Sequence, residues 1–134
     1  MAGYSGAPLW KKLGIKPGTR LCVQNAPQGY SAWIAPLLQG ALIVSANKGG
    51  CDIVHLFVHS LSLFDRELQQ ARRLIDSSGA IWVSWPRKSS GIVTDVDENR
   101  IRSIALKTDL VDVKVCAVSE VWSGLKLVVR AHLR

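Results

Sequence analysis

The chain has 134 residues, of which 48% are hydrophobic and 20% are charged, so we expect one globular domain over residues 1–134 with a buried core. This composition argues against disorder, and no run of about 18 apolar residues is available to span a membrane. The first ten residues do not resemble a secretory signal, and Cys22, Cys51 and Cys116 form no C-x-x-C pair; we therefore expect a cytoplasmic protein with no disulfide framework and no metal site.

Basic residues are concentrated in the first third of the chain. The formal net charge is +7, and the first acidic residue is Asp52. The basic residues before it are Lys11, Lys12, Lys16, Arg20 and Lys48. A basic segment of this kind can attract anions, including nucleotides and nucleic acid. A solvated face is the alternative, because Trp and Tyr are not interleaved with the lysines as they are in stacking platforms.

The first half of the chain predicts two short helices and two strands. In chain order these are a helix at 8–13, a strand at 20–24, a loop at 25–29, a helix starting at Ser31, a strand at 41–45 and a turn at 47–50. Pro8 and Gly14 are typical of the start and the end of a helix. Pro36 keeps the second helix short or kinked.

The second half predicts a longer helix and a closing hairpin. In chain order the elements are a strand at 52–59, a helix from Ser62 that Ser77-Ser78-Gly79 ends, a strand at 80–85, a helix from Thr94 or Asp95 to near Lys107, and strands at 112–121 and 125–132. Phe64, Leu68, Ala71 and Ile75 recur at helical spacing. Trp122-Ser123-Gly124 is the expected reversal, with Gly124 allowing the turn and Trp122 packed as an aromatic anchor.

Strands that alternate with helices predict a three-layer, Rossmann-like α/β domain with a mainly parallel sheet. Leu13-Gly14-Ile15-Lys16-Pro17-Gly18 before a strand resembles the lead-in to the first strand of S-adenosylmethionine-dependent methyltransferases, as does the closing strand pair. Between Ser45 and Asp52 the chain has no room for the helix–strand–helix that these enzymes place there. The resemblance therefore implies a shortened methyltransferase-like topology of six strands in the order 2-1-3-4-6-5, with the last strand antiparallel.

The whole chain is also similar to a family of small bacterial proteins known as domain of unknown function 3052. The matching segments are 2–6, 12–18, 25–27, 82–88, 115–117 and 120–125. They cover the chain nearly end to end, and the resemblance implies no established activity.

Two departures from the methyltransferase pattern concern the cofactor. The turn after the first strand reads Asn25-Ala26-Pro27-Gln28-Gly29, whereas that fold needs a glycine-rich turn so that the backbone can approach the ligand. Ser45-Ala46-Asn47 stands where an acidic residue should hold the ribose hydroxyls. We therefore expect no cofactor, and no ordinary binding of S-adenosylmethionine.

Ligands of open α/β sheets bind beyond the carboxyl ends of the strands. The residues expected at that edge are Asn25, Gln28, Ser45, Asn47, His59, Ser60, Arg87, Lys88, Ser89, Ser90 and Gly91. The segment from Arg87 to Gly91 offers two cations, two hydroxyls and a glycine, which suit a phosphate or carboxylate, although it lacks P-loop spacing. A solvated turn is the alternative interpretation of this segment.

The histidines of the third predicted strand have different expected roles. His55 is predicted to be a hydrogen-bonded core residue, and His59, at the carboxyl end, is a weak candidate for a general base. Asp95, Asp97 and Glu98 are expected to favour the start of the following helix rather than to bind a metal.

Three functions remain open on the sequence. The first is a non-catalytic methyltransferase-like module that binds an anionic small molecule or a protein partner, which includes a second copy of itself. The second is a small enzyme of unknown reaction that uses His59 and the Arg87–Gly91 loop. The third, less favoured, is a nucleic-acid-associated protein that uses its basic first third.

Overall fold

The computed structural model describes residues 8–34, 42–44 and 49–133. The strands are β1 (Arg20–Gln24), β2 (Leu42–Ile43), β3 (Cys51–Phe57), β4 (Ile75–Pro86), β5 (Leu110–Ala117) and β6 (Trp122–Val129). The helices are α1 (Leu9–Leu13), α2 (Tyr30–Trp33), α3 (Leu61–Leu74) and α4 (Glu98–Ala105), with 3-10 turns at Lys88–Ser90 and Ala131–Leu133. The predicted features at Pro36, Ser45, Asn47 and Lys48 lie outside the described residues.

The strands form one mixed sheet in the order β2-β1-β3-β4-β6-β5. Strands β1, β2, β3 and β4 pair in parallel, and β6 is antiparallel to both β4 and β5. The predicted α/β architecture and strand order are therefore present, although β2 contributes only two paired residues in the described part.

Helices cover both faces of the sheet, because alternate strand residues point to opposite sides. On the face of α3 and α4, Leu56, Ile81 and Val83 belong to one buried cluster. On the face of α1 and α2, Phe57 and Trp82 belong to a second. The central strands β3 and β4 are thus apolar on both faces, as a parallel sheet between two helical layers requires.

The fourth strand begins earlier than the sequence predicts. Strand β4 starts at Ile75, directly after α3, and its pairing with β3 shifts between Cys51 and Ile53. The predicted stop Ser77-Ser78-Gly79 is therefore an irregular segment within the strand. A Cβ on Gly79 would lie 2.9 Å from the Asp52 carbonyl oxygen, so glycine permits a close backbone approach that the sequence alone does not reveal.

Two helix starts also differ from prediction. Ser60 rather than Ser62 caps α3, and the Ser60 hydroxyl accepts from the Ser62 backbone N–H at 3.3 Å. Asp97, rather than Thr94 or Asp95, caps α4 by accepting from the Arg100 backbone N–H at 2.9 Å. In each case the capping residue lies just before the first helical turn, where a side-chain oxygen can reach the unpaired amides.

The prediction for the closing reversal is wrong in position. The chain turns at residues 118–121, where the Ser119 hydroxyl accepts from the backbone N–H groups of Val121 and Trp122 at 3.2 and 3.1 Å. Gly124 lies inside β6, opposite Ser84 of β4. A Cβ there would come within 2.8 Å of a Val118 methyl carbon, so Gly124 serves packing and not the turn. Trp122 is buried, as expected.

Candidate functional site

The carboxyl ends of β1, β3 and β4 meet at one edge of the sheet because these strands run in parallel. Asn25 follows β1, His59 and Ser60 follow β3, and Arg87 follows β4. The structure therefore places the described predicted site residues at the expected edge, on three successive loops.

Asn25, on the first of these loops, is hydrogen-bonded to β3 and α3. Its backbone is left-handed, with φ at 59°, a conformation that Asn adopts more readily than most residues. Its side-chain amide donates to the Phe57 carbonyl oxygen at 3.1 Å and to the Glu67 carboxylate. The amide nitrogen is thus bound within the protein, while Gln28 on the same loop is exposed.

His59 and Ser60 are engaged with the neighbouring elements. The His59 ring is exposed and meets Trp122 edge to face at 5.3 Å between centroids. The His59 carbonyl oxygen accepts from the Thr94 hydroxyl at 3.0 Å. Ser60 uses its hydroxyl to cap α3. His59 lies beyond β3, which ends at Phe57, and not within the strand as the sequence predicts.

The loop after β4 is a single 3-10 turn held by Ser90. The Ser90 hydroxyl donates to the Arg87 carbonyl oxygen at 2.6 Å and accepts from the Ile92 backbone N–H at 3.1 Å. The Arg87 backbone N–H donates to the Val121 carbonyl oxygen at 2.7 Å. Ser90 therefore shapes the loop, and Lys88 and Ser89 remain exposed at its tip.

An open cavity of about 950 Å³ lies between this loop and the start of α4. Its lining includes Arg87, Lys88 and Ser89 on one side and the segment 92–100 on the other, with Ser123 of β6. Asn25, Gln28, His59 and Ser60 are not part of this lining. The structure thus unites only three of the predicted ligand-binding residues around one cavity.

The carboxylates in the cavity wall have partners of their own. Asp95 accepts from the Leu61 backbone N–H at 2.9 Å and so supports the start of α3. Asp97 caps α4, and Glu98 pairs with Arg102 at 2.5 Å. The predicted role of this acidic cluster at helix starts is confirmed, with Asp95 acting on a different helix from the expected one. Two of the three carboxylates in this wall, Asp97 and Glu98, are paired with Arg100 and Arg102.

Arg102 belongs to a separate ion-pair network behind the cavity. Its guanidinium also contacts the Asp112 carboxylate of β5 at 2.8 Å. That hydrogen bond lowers the pKa of Asp112 below its ordinary value. The network fastens α4 to β5; Arg102 and Asp112 lie outside the cavity lining, whereas Glu98 is part of it.

A buried polar chain crosses the sheet on the α1 side. The Tyr30 hydroxyl lies 2.7 Å from His55 Nδ1, and His55 Nε2 lies 2.7 Å from the Ser84 hydroxyl. Burial lowers the pKa of His55 to about 3, so the ring is neutral at physiological pH. The prediction of a hydrogen-bonded core histidine is confirmed. The sequence analysis does not identify its partners, although Ser84, a lone hydroxyl in an apolar strand, is a usable signal.

The described ranges contain neither a cluster of metal-ligating side chains nor a helix that could span a membrane. No group of three or more His, Cys, Asp or Glu side chains is arranged to hold a metal ion there. None of the described helices is long and apolar enough to cross a bilayer.

Comparison with known proteins shows the class of fold. No family model matches the chain, and no curated protein matches it. The structure of a DhpI–SAH complex superposes with a TM-score of 0.62 at 8% identity, covering 91% of this chain and 82% of that one. A putative type 11 methyltransferase from Sulfolobus solfataricus gives 0.59 at 12% identity, covering 92% and 90%.

A third structure has a bound cofactor. Magnesium protoporphyrin IX methyltransferase (ChlM) from Synechocystis PCC 6803, with bound SAM, gives a TM-score of 0.59 at 12% identity, covering 90% of this chain and 74% of that one. At these identities the likeness concerns the fold alone. The chain has a methyltransferase-like α/β fold, and its function depends on its own residues.

Proposed function

We propose that this chain is a methyltransferase-like module that binds an anionic small molecule at the Arg87–Ser89 cavity and transfers no methyl group. The single observation that carries the proposal is the open cavity of about 950 Å³ lined by Arg87, Lys88 and Ser89. The resemblance to the domain of unknown function 3052 family is part of the same proposal.

The composition of the cavity supports an anionic ligand. Arg87 and Lys88 supply positive charge from a loop whose backbone is fixed to the turn before β6 through the Val121 carbonyl oxygen. Ser89 adds an exposed hydroxyl. Since Asp97 and Glu98 are paired with Arg100 and Arg102, the wall opposite repels an anion less than its sequence suggests.

The loop after β1 supports the absence of methyl transfer. In the methyltransferase pattern this turn brings backbone amides to the cofactor. Here the Asn25 side chain fills a structural role at the same turn, through Phe57 and Glu67. Pro27 removes a backbone donor from the turn. These features favour a ligand at the β4 loop rather than at the β1 loop.

The test compares two charge-matched double variants. Arg87→Ala with Lys88→Ala removes the two loop cations, and Arg66→Ala with Lys107→Ala removes two exposed cations outside the cavity lining. A thermal-shift panel of phosphorylated and carboxylated metabolites, with inorganic phosphate and citrate as first probes, identifies ligands that stabilise the native state.

The expected result is at least about tenfold weaker binding to the loop variant, because charge-assisted hydrogen bonds are lost. The control variant should bind as the parent does. Equal binding by both variants would show that the loop is a solvated turn. If no compound in the panel binds and the loop instead binds a protein, the natural ligand is a protein partner and not a small molecule.

A further inference from the structure

Two lysines face each other on the β5–β6 edge of the sheet, away from the Arg87 loop. Lys114 of β5 pairs directly with Lys126 of β6, and Lys126 pairs with Trp82 of β4. Directly paired residues share one face of a sheet. Trp82 belongs to the buried cluster under α1, so both lysines lie on the α1 face.

Neighbouring contacts fix the position of this pair. The Trp82 indole N–H donates to the Leu13 carbonyl oxygen at 3.1 Å, which places the end of α1 over Trp82. Lys114 Nζ lies 6.0 Å from the centre of the Trp82 ring. The lysines therefore border α1, on a part of the sheet that α1 leaves accessible.

A third lysine completes the cluster, which we name the lysine face: Lys16, Lys114 and Lys126. Lys16 lies on the loop after α1, three residues beyond Leu13, whose carbonyl oxygen accepts from the Trp82 indole N–H. Burial, and then the positive charges of Lys114 and Lys16, hold the pKa of the partly buried Lys126 below its ordinary value. Lys12 of α1 lies beside the same strand, where its Nζ donates to the Ala117 carbonyl oxygen at 3.0 Å.

Like charges directly opposite each other across a strand pair are destabilising. Arg20 and Arg72 face acids, since Arg20 lies near Asp52 and Asp76 and Arg72 pairs with Asp109. The residue directly opposite Lys126 on β5 is instead the basic Lys114. An arrangement that weakens the native state is retained most readily where a ligand relieves it.

We propose that the lysine face binds a compact oligophosphate group, as in a nucleoside diphosphate or triphosphate. Lysine ammonium groups are flexible point charges with three donors each, which suits clustered phosphate oxygens. The direct pairing of Lys114 with Lys126 places two ammonium groups on neighbouring strands, which favours a compact anion. A nucleic-acid strand is disfavoured because Trp82, the aromatic ring at this face, is fully buried and unable to stack on a base.

The test uses inorganic tripolyphosphate as the probe and Lys114→Met with Lys126→Met as the variant. Methionine keeps most of the apolar stem, so folding should survive. Tripolyphosphate should raise the melting temperature of the parent, and the variant should bind it at least about tenfold more weakly. Arg66→Met with Lys107→Met, which removes two exposed cations elsewhere, should bind as the parent does.

Two further measurements test the role of Lys126 directly. Without ligand, Lys126→Met alone should be more stable than the parent, because a repelled charge is removed. In nuclear magnetic resonance titrations, tripolyphosphate should raise the pKa of Lys126 toward its ordinary value. Unchanged affinity in the double variant, or an unchanged Lys126 pKa, would overturn the proposal.

The remaining controls separate this site from its alternatives. Arg87→Ala with Lys88→Ala should leave tripolyphosphate binding to the lysine face intact, so failure of one site is distinguishable from failure of the other. A labelled oligodeoxythymidylate should compete poorly. If it binds the same lysines more tightly than tripolyphosphate does, with a steep salt dependence, the compact site is wrong and a nucleic-acid surface replaces it.

Discussion

His55 is neutral in the folded protein because its ring is fully buried between Tyr30 and Ser84. A neutral imidazole has one donor and one acceptor nitrogen, and two hydroxyl neighbours at 2.7 Å satisfy both. The arrangement has the residue types of a nucleophilic site, yet Ser84 and His55 are both inaccessible to solvent. Its role is therefore to hold β3, β4 and α2 together.

The stability of the protein should fall in mild acid because of His55. Burial lowers the pKa of His55 to about 3, whereas the unfolded chain takes up a proton near pH 6.5. Between these values only the unfolded state gains the proton, so the free energy of unfolding falls by about 1.4 kcal/mol per pH unit from this residue. Urea unfolding should show a loss of about 2 kcal/mol between pH 6.5 and 5.

Two variants separate this effect from titration of the carboxylates. His55→Gln removes the titrating group and should flatten the pH dependence over that interval. Tyr30→Phe should cost about 1–3 kcal/mol at neutral pH, because His55 Nδ1 loses its partner, but should keep the slope. An equal slope in His55→Gln and the parent would assign the acid sensitivity to other groups.

At the scale of elements, the strands and their order follow from the sequence, and the boundaries follow from tertiary contacts. Apolar runs such as Ile53–Phe57 and Ile81–Val83 identify buried strands wherever they occur, because few other structures bury both faces. The β5–β6 turn was misplaced because Gly124 resembles a turn residue. Its actual reason, close approach to Val118 and Trp82, depends on atoms far away in sequence.

Some site residues could likewise be predicted from the sequence, whereas others depend on tertiary contacts. The edge of the sheet was predictable for Asn25, His59 and Arg87, since it follows from strand direction. The cavity was not predictable, because it depends on contacts between segments that are distant in sequence. One of them is the hydrogen bond from the Leu61 backbone N–H to the Asp95 carboxylate. Nor was the lysine face predictable: the pairing of Lys114 with Lys126 follows a register shift after Asp112 that no local pattern signals.

Gly124 provides a test of packing within the hairpin. A methyl group added there would lie 2.8 Å from Val118 Cγ2 and 3.3 Å from the Trp82 ring. Gly124→Ala should therefore lower the free energy of unfolding by about 1–3 kcal/mol. Adding Val118→Ala removes the nearest methyl and should recover part of that loss, giving a favourable coupling in a double-mutant cycle. Strictly additive effects would show that Gly124 serves another purpose.

In the whole molecule, the fold is shared with a structure that has bound SAM and with one that has bound SAH. The likeness covers about nine-tenths of this chain at 8 to 12% identity. At that distance a fold preserves strand order and core, while loop residues determine what binds. In this chain the loops contain Asn25, which is hydrogen-bonded to Phe57 and Glu67. They also contain the Arg87–Ser89 side of the cavity and Lys16 of the lysine face.

We expect that S-adenosylmethionine and S-adenosylhomocysteine do not bind this protein at physiological concentrations. The turn after β1 has one glycine and one proline, and the Asn25 amide is already bound to Phe57 and Glu67. Isothermal titration calorimetry of both compounds should give no saturable heat. DhpI, whose structure has bound SAH, serves as the positive control. Micromolar affinity for either compound would place a working cofactor site in this fold and would return methyl transfer to consideration.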